Sequence, residues 1–212
     1  MKNIIIIIAV VFCIHNQTFA QDTTKAKWVP CTPKNAFGLD LGVGINEAEI
    51  YEKNHIPTFE IGARYLHHFN PYIGVDFIKF NSKFSLKKAI DSSHYDGRNK
   101  SNYYSVNVQW MLGVRGNTPA FYKCMSGYGA ARVGFGVVYE SYEYEEYIFS
   151  EARNVEKVAL GVGLCLEYEM GFNITRELFI GYACNAQLIR GHSPILYTAR
   201  LSHSFRIGVN IK

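Results

Sequence analysis

Eight stretches of this chain place a bulky, mostly apolar side chain at every second position: Ala36 to Ile45, Thr58 to Phe69, Tyr72 to Phe80, Tyr103 to Arg115, Ser126 to Tyr139, Lys157 to Phe172, Leu178 to Arg190 and Tyr197 to Ile211. A period of two is that of a β-strand, whose successive side chains point to opposite faces. Most of these stretches reach or exceed the roughly 9–11 residues a tilted strand needs to cross a bilayer, whereas strands of soluble proteins average about 5–6. The last, YTARLSHSFRIGVNIK, keeps its alternation to Ile211, where most chains fray. Abundant Tyr and Phe (15 and 14) with only 6 Pro favour a β-rich chain over a helical or disordered one.

The connections alternate in length. Asn70-Pro71 and Asn173 to Glu177 are tight, while Asn46 to Pro57, Asn81 to Asn102 and Glu140 to Glu156 are long. With both chain ends on one side, the long connections gather on the other, together with the short Arg190 to Leu196 loop. Gly116 to Met125 breaks the pattern as a long turn on the side of the chain ends. Short turns at one rim and long loops at the other are the asymmetry of transmembrane β-barrels.

Alternation is shared by a membrane barrel and a soluble lipocalin-like barrel; the character of the two faces separates them. The first strand sets Phe37, Leu39, Leu41, Val43 and Ile45 against Ala36, Gly38, Asp40, Gly42 and Gly44. The sixth sets Val158, Leu160, Val162, Leu164, Leu166, Tyr168 and Met170 against Ala159, Gly161, Gly163, Cys165, Glu167 and Glu169. Glycine on a solvated outer face would weaken strands with no packing gain. Small residues mixed with ions suit a narrow polar interior, which turns the bulky set toward lipid. In hydrocarbon every backbone N–H and C=O must be paired within the protein, so the sheet must close and its last strand must pair with its first.

The stretches GLDLGVGI, EIGARYLHHFNPYIGVDF, ARVGFGVVYE and FRIGVNIK resemble the small eight-stranded outer-membrane barrels of the outer membrane protein β-barrel domain family. The resemblance implies an antiparallel up-and-down transmembrane barrel over residues 36–212, placed in the bacterial outer membrane by the barrel-assembly machinery. Such barrels usually end in an aromatic residue; this chain ends in Ile211-Lys212.

The N-terminus, MKNIIIIIAVVFCIHNQTFAQ, is read as a cleaved secretory signal over residues 1–20, with Lys2 before an apolar run too short to span a bilayer. Residues 21–35 then form a periplasmic segment. A formal charge of +4, dispersed along the chain, suggests no nucleic-acid partner. Cys165 and Cys184 fall on opposite faces of neighbouring strands, which excludes a bond between them. Cys31 and Cys124 fall on the same side of the membrane and meet only if the N-terminal segment folds back.

The inward phase collects Asp40, Glu60, Asp76, Glu167 and Glu169 against Arg64, Arg115, Arg132, Arg200 and Arg206, with Asn107, Gln109, Asn185 and Gln187 between them. Eight strands leave room only for side chains or one small ligand, so this set is expected to fill the lumen as a salt-bridged network. The alternative is a narrow channel for small solutes or ions. Phe37, Phe69 and Phe172 would ring the inner membrane interface, and Tyr104, Tyr139 and Tyr197 the outer one.

Two long connections carry the candidate contacts with the outside. YESYEYEEYIF sets Tyr142, Tyr144 and Tyr147 among glutamates; the other loop is basic, with Lys83, Lys87, Lys88, Arg98 and Lys100. Tyrosine gives rigid contact area with a polar tip, which suits an extracellular protein or glycan, and charged lipopolysaccharide is the other natural neighbour. Catalysis is disfavoured, that of a lipid-modifying barrel enzyme included. His203-Ser204 and His67-His68 are sequence neighbours on strands and point to opposite faces, and His192-Ser193 sit in a turn beside Pro194. No motif for a cofactor or metal is present, since the glycines of GVGLCLEYEMG lie at strand spacing.

Overall fold

The structure, a computed structural model, describes residues 29–48, 55–90, 101–148, 151–191 and 198–211. The signal-peptide expectation therefore lies outside the described residues. Eight strands follow one another as β1 (Asn35–Ala48), β2 (His55–His68), β3 (Ile73–Ile90), β4 (Ser101–Asn117), β5 (Ser126–Ile148), β6 (Glu151–Asn173), β7 (Leu178–Gly191) and β8 (Thr198–Ile211). Each pairs antiparallel with its sequence neighbour, and β8 returns to β1 in a closed barrel. Closure runs from Phe37↔Ile211 to Ala48↔Arg200. The alternation near the chain end thus has its cause: Ile211 belongs to the seam, and a frayed seam would leave backbone groups unpaired.

Alternation sets the faces as the sequence implies. Phe37, Leu39, Leu41 and Val43 are exposed on the outside of β1, while Gly38, Asp40 and Gly42 are buried within. On β6, Leu164 and Leu166 are 65% and 59% exposed, and Cys165, Glu167 and Glu169 are buried. Several inward glycines are sterically required. A Cβ on Gly134 would lie 1.9 Å from the Trp110 carbonyl oxygen, and one on Gly62 would lie 2.3 Å from Asp40 Oδ1. The interior is too crowded for any side chain there.

Three strands depart from the sequence reading: β5 and β6 run on through residues read as an outer loop, to Ile148 and from Glu151, and β3 differs in phase as well as length. β3 does not end at Phe80 but continues to Ile90, because a β-bulge resets its phase. Leu66 pairs with Asp76 and Tyr65 with Ile78, so β3 holds one extra residue against β2. Phe77 and Ile78, adjacent in sequence, both face outward. Beyond them Lys79, Asn81, Lys83 and Ser85 turn inward. A bulge does this by inserting one unpaired residue, which shifts the period of two by one step.

The rim that holds the chain ends has compact turns. Asn70 Oδ1 accepts from the backbone N–H of Tyr72 and Ile73 at 2.8 and 2.9 Å. Thr175 Oγ1 accepts from Glu177 and Leu178 N–H at 3.1 and 3.0 Å. These side chains supply the acceptors that the chain reversal leaves missing. The longer turn between β4 and β5 is an organised element. Thr118 N–H donates to the Gly127 carbonyl (2.8 Å), Phe121 N–H to Met125 (3.0 Å), and Lys123 takes a left-handed φ of 47° at its tip.

That turn holds the N-terminal segment. Cys31 and Cys124 form a disulfide with their Cα atoms 4.9 Å apart. Pro30 and Pro33 are buried, His68 N–H donates to the Lys34 carbonyl, and Thr32 Oγ1 donates to Pro71 O. The segment does fold back, and the length of the turn gives it a partner. Cys165 and Cys184 are not joined to each other.

Candidate functional site

The lumen is built from inward positions of all eight strands. Asp40, Glu60, Arg64, Asp76, Arg115, Arg132, Glu167, Glu169, Arg200 and Arg206 all point inward and are buried, each no more than 6% exposed. Nine of them fall into three layers; the tenth, Asp40, lies against Gly62 with no hydrogen-bond partner for either carboxylate oxygen.

The middle layer is an ionic belt. Glu167 and Glu169 lie two residues apart on β6, so both project inward. Lys79 Nζ lies 2.9 Å from Glu167 Oε1 and 3.1 Å from Glu169 Oε2. Arg132 reaches Asp76 through Nε (2.6 Å) and both glutamates through Nη1 (2.8 Å each). Arg206 joins Glu167 (2.8 Å), Glu169 (3.0 Å) and Glu60 (2.8 Å). Lys83 Nζ closes the upper side at 3.1 Å from Glu60 Oε1, and Tyr128 O–H donates to Glu169 Oε1 at 2.6 Å. Burying a charge is costly unless it is paired and hydrogen-bonded, and each carboxylate of this belt meets at least one cation.

Below the belt, toward the chain ends, arginines rest on rings and amides. The Arg115 guanidinium lies 3.6 Å over the Tyr128 ring and donates to Asn173 Oδ1 at 2.6 Å. Arg64 lies 4.0 Å over Phe179. Asn173 and Asn117 link on to His68, whose Nδ1 is 2.8 Å from Pro33 O. The interior network therefore continues into the docked N-terminal segment. Above the belt, Asn107 Nδ2 donates to Gln187 Oε1 (2.7 Å), Gln109 and Asn185 exchange hydrogen bonds (3.1 and 3.2 Å), and Arg200 pairs with Glu140.

Lys79, Lys83, Glu140 and Tyr128 are among the lumen members the sequence reading lacked, with Asn117, Asn173 and His68. Lys83 is a correction: it does not belong to an outer basic loop but sits inside, donating to Ser202 Oγ at 2.6 Å. The signal was present in DFIKFNSKF, where adjacent Phe77 and Ile78 interrupt the alternation before it resumes in the opposite phase.

Outside, the barrel presents an apolar wall. The aromatic residues placed at the inner interface are exposed there, and Phe37, Tyr65, Phe77, His67 and Phe69 form a continuous ring cluster with centroids 5.1–6.2 Å apart. Tyr104 and Tyr139 are exposed toward the other rim; Tyr197 lies outside the described residues. His203 points outward beside Tyr182, its Nδ1 2.6 Å from the phenol oxygen, while Ser204 points inward to Glu60. His67 and His68 divide in the same way, so neither pair shares a site. The wall stands about 35 Å tall, taking 14-residue strands at about 3.3 Å per residue and a tilt near 40°. A closed sheet of that height, greasy without and ionic within, has only one solvent that suits it. The chain is an outer-membrane β-barrel.

No family model matches this barrel, and no curated protein matches it by sequence. Among solved structures it is similar to Ail, the attachment invasion locus protein of Yersinia pestis, at 13% identity and TM-score 0.46, over 84% of this chain and 97% of that one. It is also similar to Neisserial surface protein A at 10% identity and TM-score 0.42, with the same two coverages. The N-terminal β-barrel domain of Pseudomonas aeruginosa OprF gives 10% identity and TM-score 0.28, over 82% and 97%. Identities this low do not reach to ligands or activity.

The outer rim is uneven. β1, β2, β7 and β8 have 14 residues each, β5 and β6 have 23. β6 last pairs with β7 at Gly161↔Gly191, yet its pairing with β5 runs on to Ile148↔Glu151. The hairpin thus rises about ten residues past β7. The backbones of Tyr142, Tyr144 and Tyr147 lie in it, and those of Lys87 and Lys88 in the upper part of β3; all five side chains lie outside the described residues, as do Arg98, Lys100 and His192.

Proposed function

We propose that this barrel serves the cell surface as a structural and recognition protein, non-enzymatic, with the β5–β6 hairpin as its contact element. The observation that carries the reading is the hairpin's height: ten residues of paired strand beyond the β7 edge, about 33 Å along the strand, extend further than stability of the barrel wall requires. From Ser141 to Lys157 its sequence holds Glu143, Glu145, Glu146, Glu151 and Glu156 against Arg153 and Lys157, together with the three tyrosines. Tyrosine-rich acidic strands suit an extracellular protein with a basic face, or a neutral glycan, better than a sulfated one. Lipopolysaccharide around the rim, and the barrel-assembly machinery during insertion, complete the partners.

A conducting role is the weaker reading because the belt fills the lumen: Lys79, Arg132, Glu167, Glu169 and Arg206 are at most 3% exposed and bound to one another. Replacing residues 143–156 by Asn-Gly joins Tyr142 to Lys157, which already face each other, by a two-residue hairpin turn. The shortened barrel is expected to keep its heat-modifiable migration on gels and to lose adhesion of displaying cells to immobilised matrix proteins and neutral glycans. Adhesion equal to that of the parent refutes the reading. Planar-bilayer recording is expected to be silent for both.

A further inference from the structure

Of the three turns at the inner rim, the one between β4 and β5 is longer than a chain reversal needs, and it reads TPAFYKCM from Thr118 to Met125. Holding the strap accounts for Cys124 and for the buried Ala120. It does not account for Phe121, Tyr122 and Lys123, three consecutive residues that are all exposed. Phe121 and Tyr122 are 56% and 57% exposed, as open as the lipid-facing Leu160 and Leu166 at 57% and 59%. Adjacent rings this open mark a surface that something covers.

Continuity with the wall identifies the cover. The Phe121 ring meets the Phe172 ring edge-on, centroids 6.2 Å apart, and Phe172 is exposed on the outward face of β6 at its inner end. The aromatic side of the turn thus extends the apolar wall, while Cys124 ties the turn to the strap. Charge agrees. Lys123, left-handed at the tip, holds its Nζ 5.4 Å from the centre of the Tyr122 ring. Lys34 in the strap and Arg176 in the β6–β7 turn are exposed at the same rim, and Glu177 is the one exposed acid among its described residues. A tyrosine ring beside an ammonium group suits the level of lipid headgroups, and a surplus of cations there attracts anionic ones. The disulfide and the backbone bonds hold the turn in shape beforehand, so contact costs little ordering.

We propose that this turn is a membrane foot: Phe121 and Tyr122 enter the inner leaflet beside the wall, and Lys123 binds the phosphate of an anionic phospholipid there. The foot thereby adds a headgroup contact at one fixed place on the barrel's circumference. It lies at the rim opposite the β5–β6 hairpin and does not depend on the role proposed for that hairpin.

The test uses the full barrel in nanodiscs of phosphatidylethanolamine and phosphatidylglycerol, with para-fluorophenylalanine replacing Phe121, Tyr122 or Phe69 singly. Phe69, an exposed ring of the wall, reports the lipid contact that any membrane barrel makes. Its fluorine signal and those of the foot are broadened either by lipid spin-labelled near the headgroup or by a soluble gadolinium chelate. The expected result is that the two foot positions behave as the Phe69 position does, broadened by the labelled lipid and shielded from the chelate. Foot positions open to the chelate while the Phe69 position is shielded would overturn the proposal and leave the rings to a periplasmic protein or glycan. All three open to the chelate alone would overturn the membrane assignment of the wall along with it. Labelled phosphatidylglycerol is expected to broaden the Tyr122 position at least twofold more than labelled phosphatidylcholine. Lys123→Gln should remove that difference while heat-modifiable migration persists, and high salt should reduce it in the parent. Equal broadening by the two lipids in the parent, or a preference that survives both Lys123→Gln and high salt, would refute the headgroup contact.

Discussion

Leu166→Arg is the substitution that most directly probes which solvent surrounds the barrel. Leu166 is 59% exposed on the outward face of β6, between Val133 on β5 and Ala186 on β7, near the centre of the stretch 161–173 that pairs with β7. On a water-facing wall, such a replacement changes stability by no more than about 0.5 kcal/mol. At the midplane of a bilayer the same arginine costs about 2–4 kcal/mol, falling to about 0–1 near the interfaces. Ile211→Arg supplies the shallow comparison, since Ile211 is 51% exposed at the inner end of the seam with β1. Equilibrium folding into phosphatidylcholine vesicles, followed by tryptophan fluorescence against urea, measures both. With a slope of about 2 kcal/mol/M, Leu166→Arg should lower the midpoint by about 1–2 M and Ile211→Arg by under about 0.5 M. A Leu166→Arg barrel within about 0.5 kcal/mol of the parent, or equal costs at the two depths, would refute the lipid-facing assignment.

Three other perturbations test the interior and the strap. Glu169→Gln strips the charge that Lys79, Arg132 and Arg206 share, and should cost about 3–5 kcal/mol in the same urea titration. Adding Arg132→Gln should cost less than the sum of the two single changes by at least about 1 kcal/mol, because the second charge no longer lacks its partner. Gly134→Leu drives a Cβ into the Trp110 carbonyl, and a cost of about 1–3 kcal/mol with slower assembly on gels is expected. Cys31→Ser opens a bond spanning 93 residues and should lower unfolding stability by about 2–5 kcal/mol while heat-modifiability persists; peptide mapping of the unreduced parent should find Cys31 and Cys124 linked.

Alternation determined much of this protein by itself. A period of two forces every side chain onto one of two faces, so Asp40, Arg64, Arg132 and Glu167 could be turned inward and Leu164 outward with no coordinates. Small and ionic residues on one face against bulky apolar ones on the other favoured a membrane barrel over a soluble one, and the need to pair every backbone group in lipid made closure of β8 on β1 unavoidable. What periodicity cannot carry is a change of its own phase. The bulge at Phe77 and Ile78 depends on how β3 fits between β2 and β4, and only that packing brings Lys79 and Lys83 into the belt. The partners of each ion were equally hidden, because Arg206 and Glu167, paired at 2.8 Å, stand on strands that do not touch. The same holds for Cys31 and Cys124, which are brought together by a segment with no period to read. Faces follow from local geometry repeated along one strand; which residues meet across a lumen depends on the stagger of all eight at once, and that is fixed only when the sheet closes.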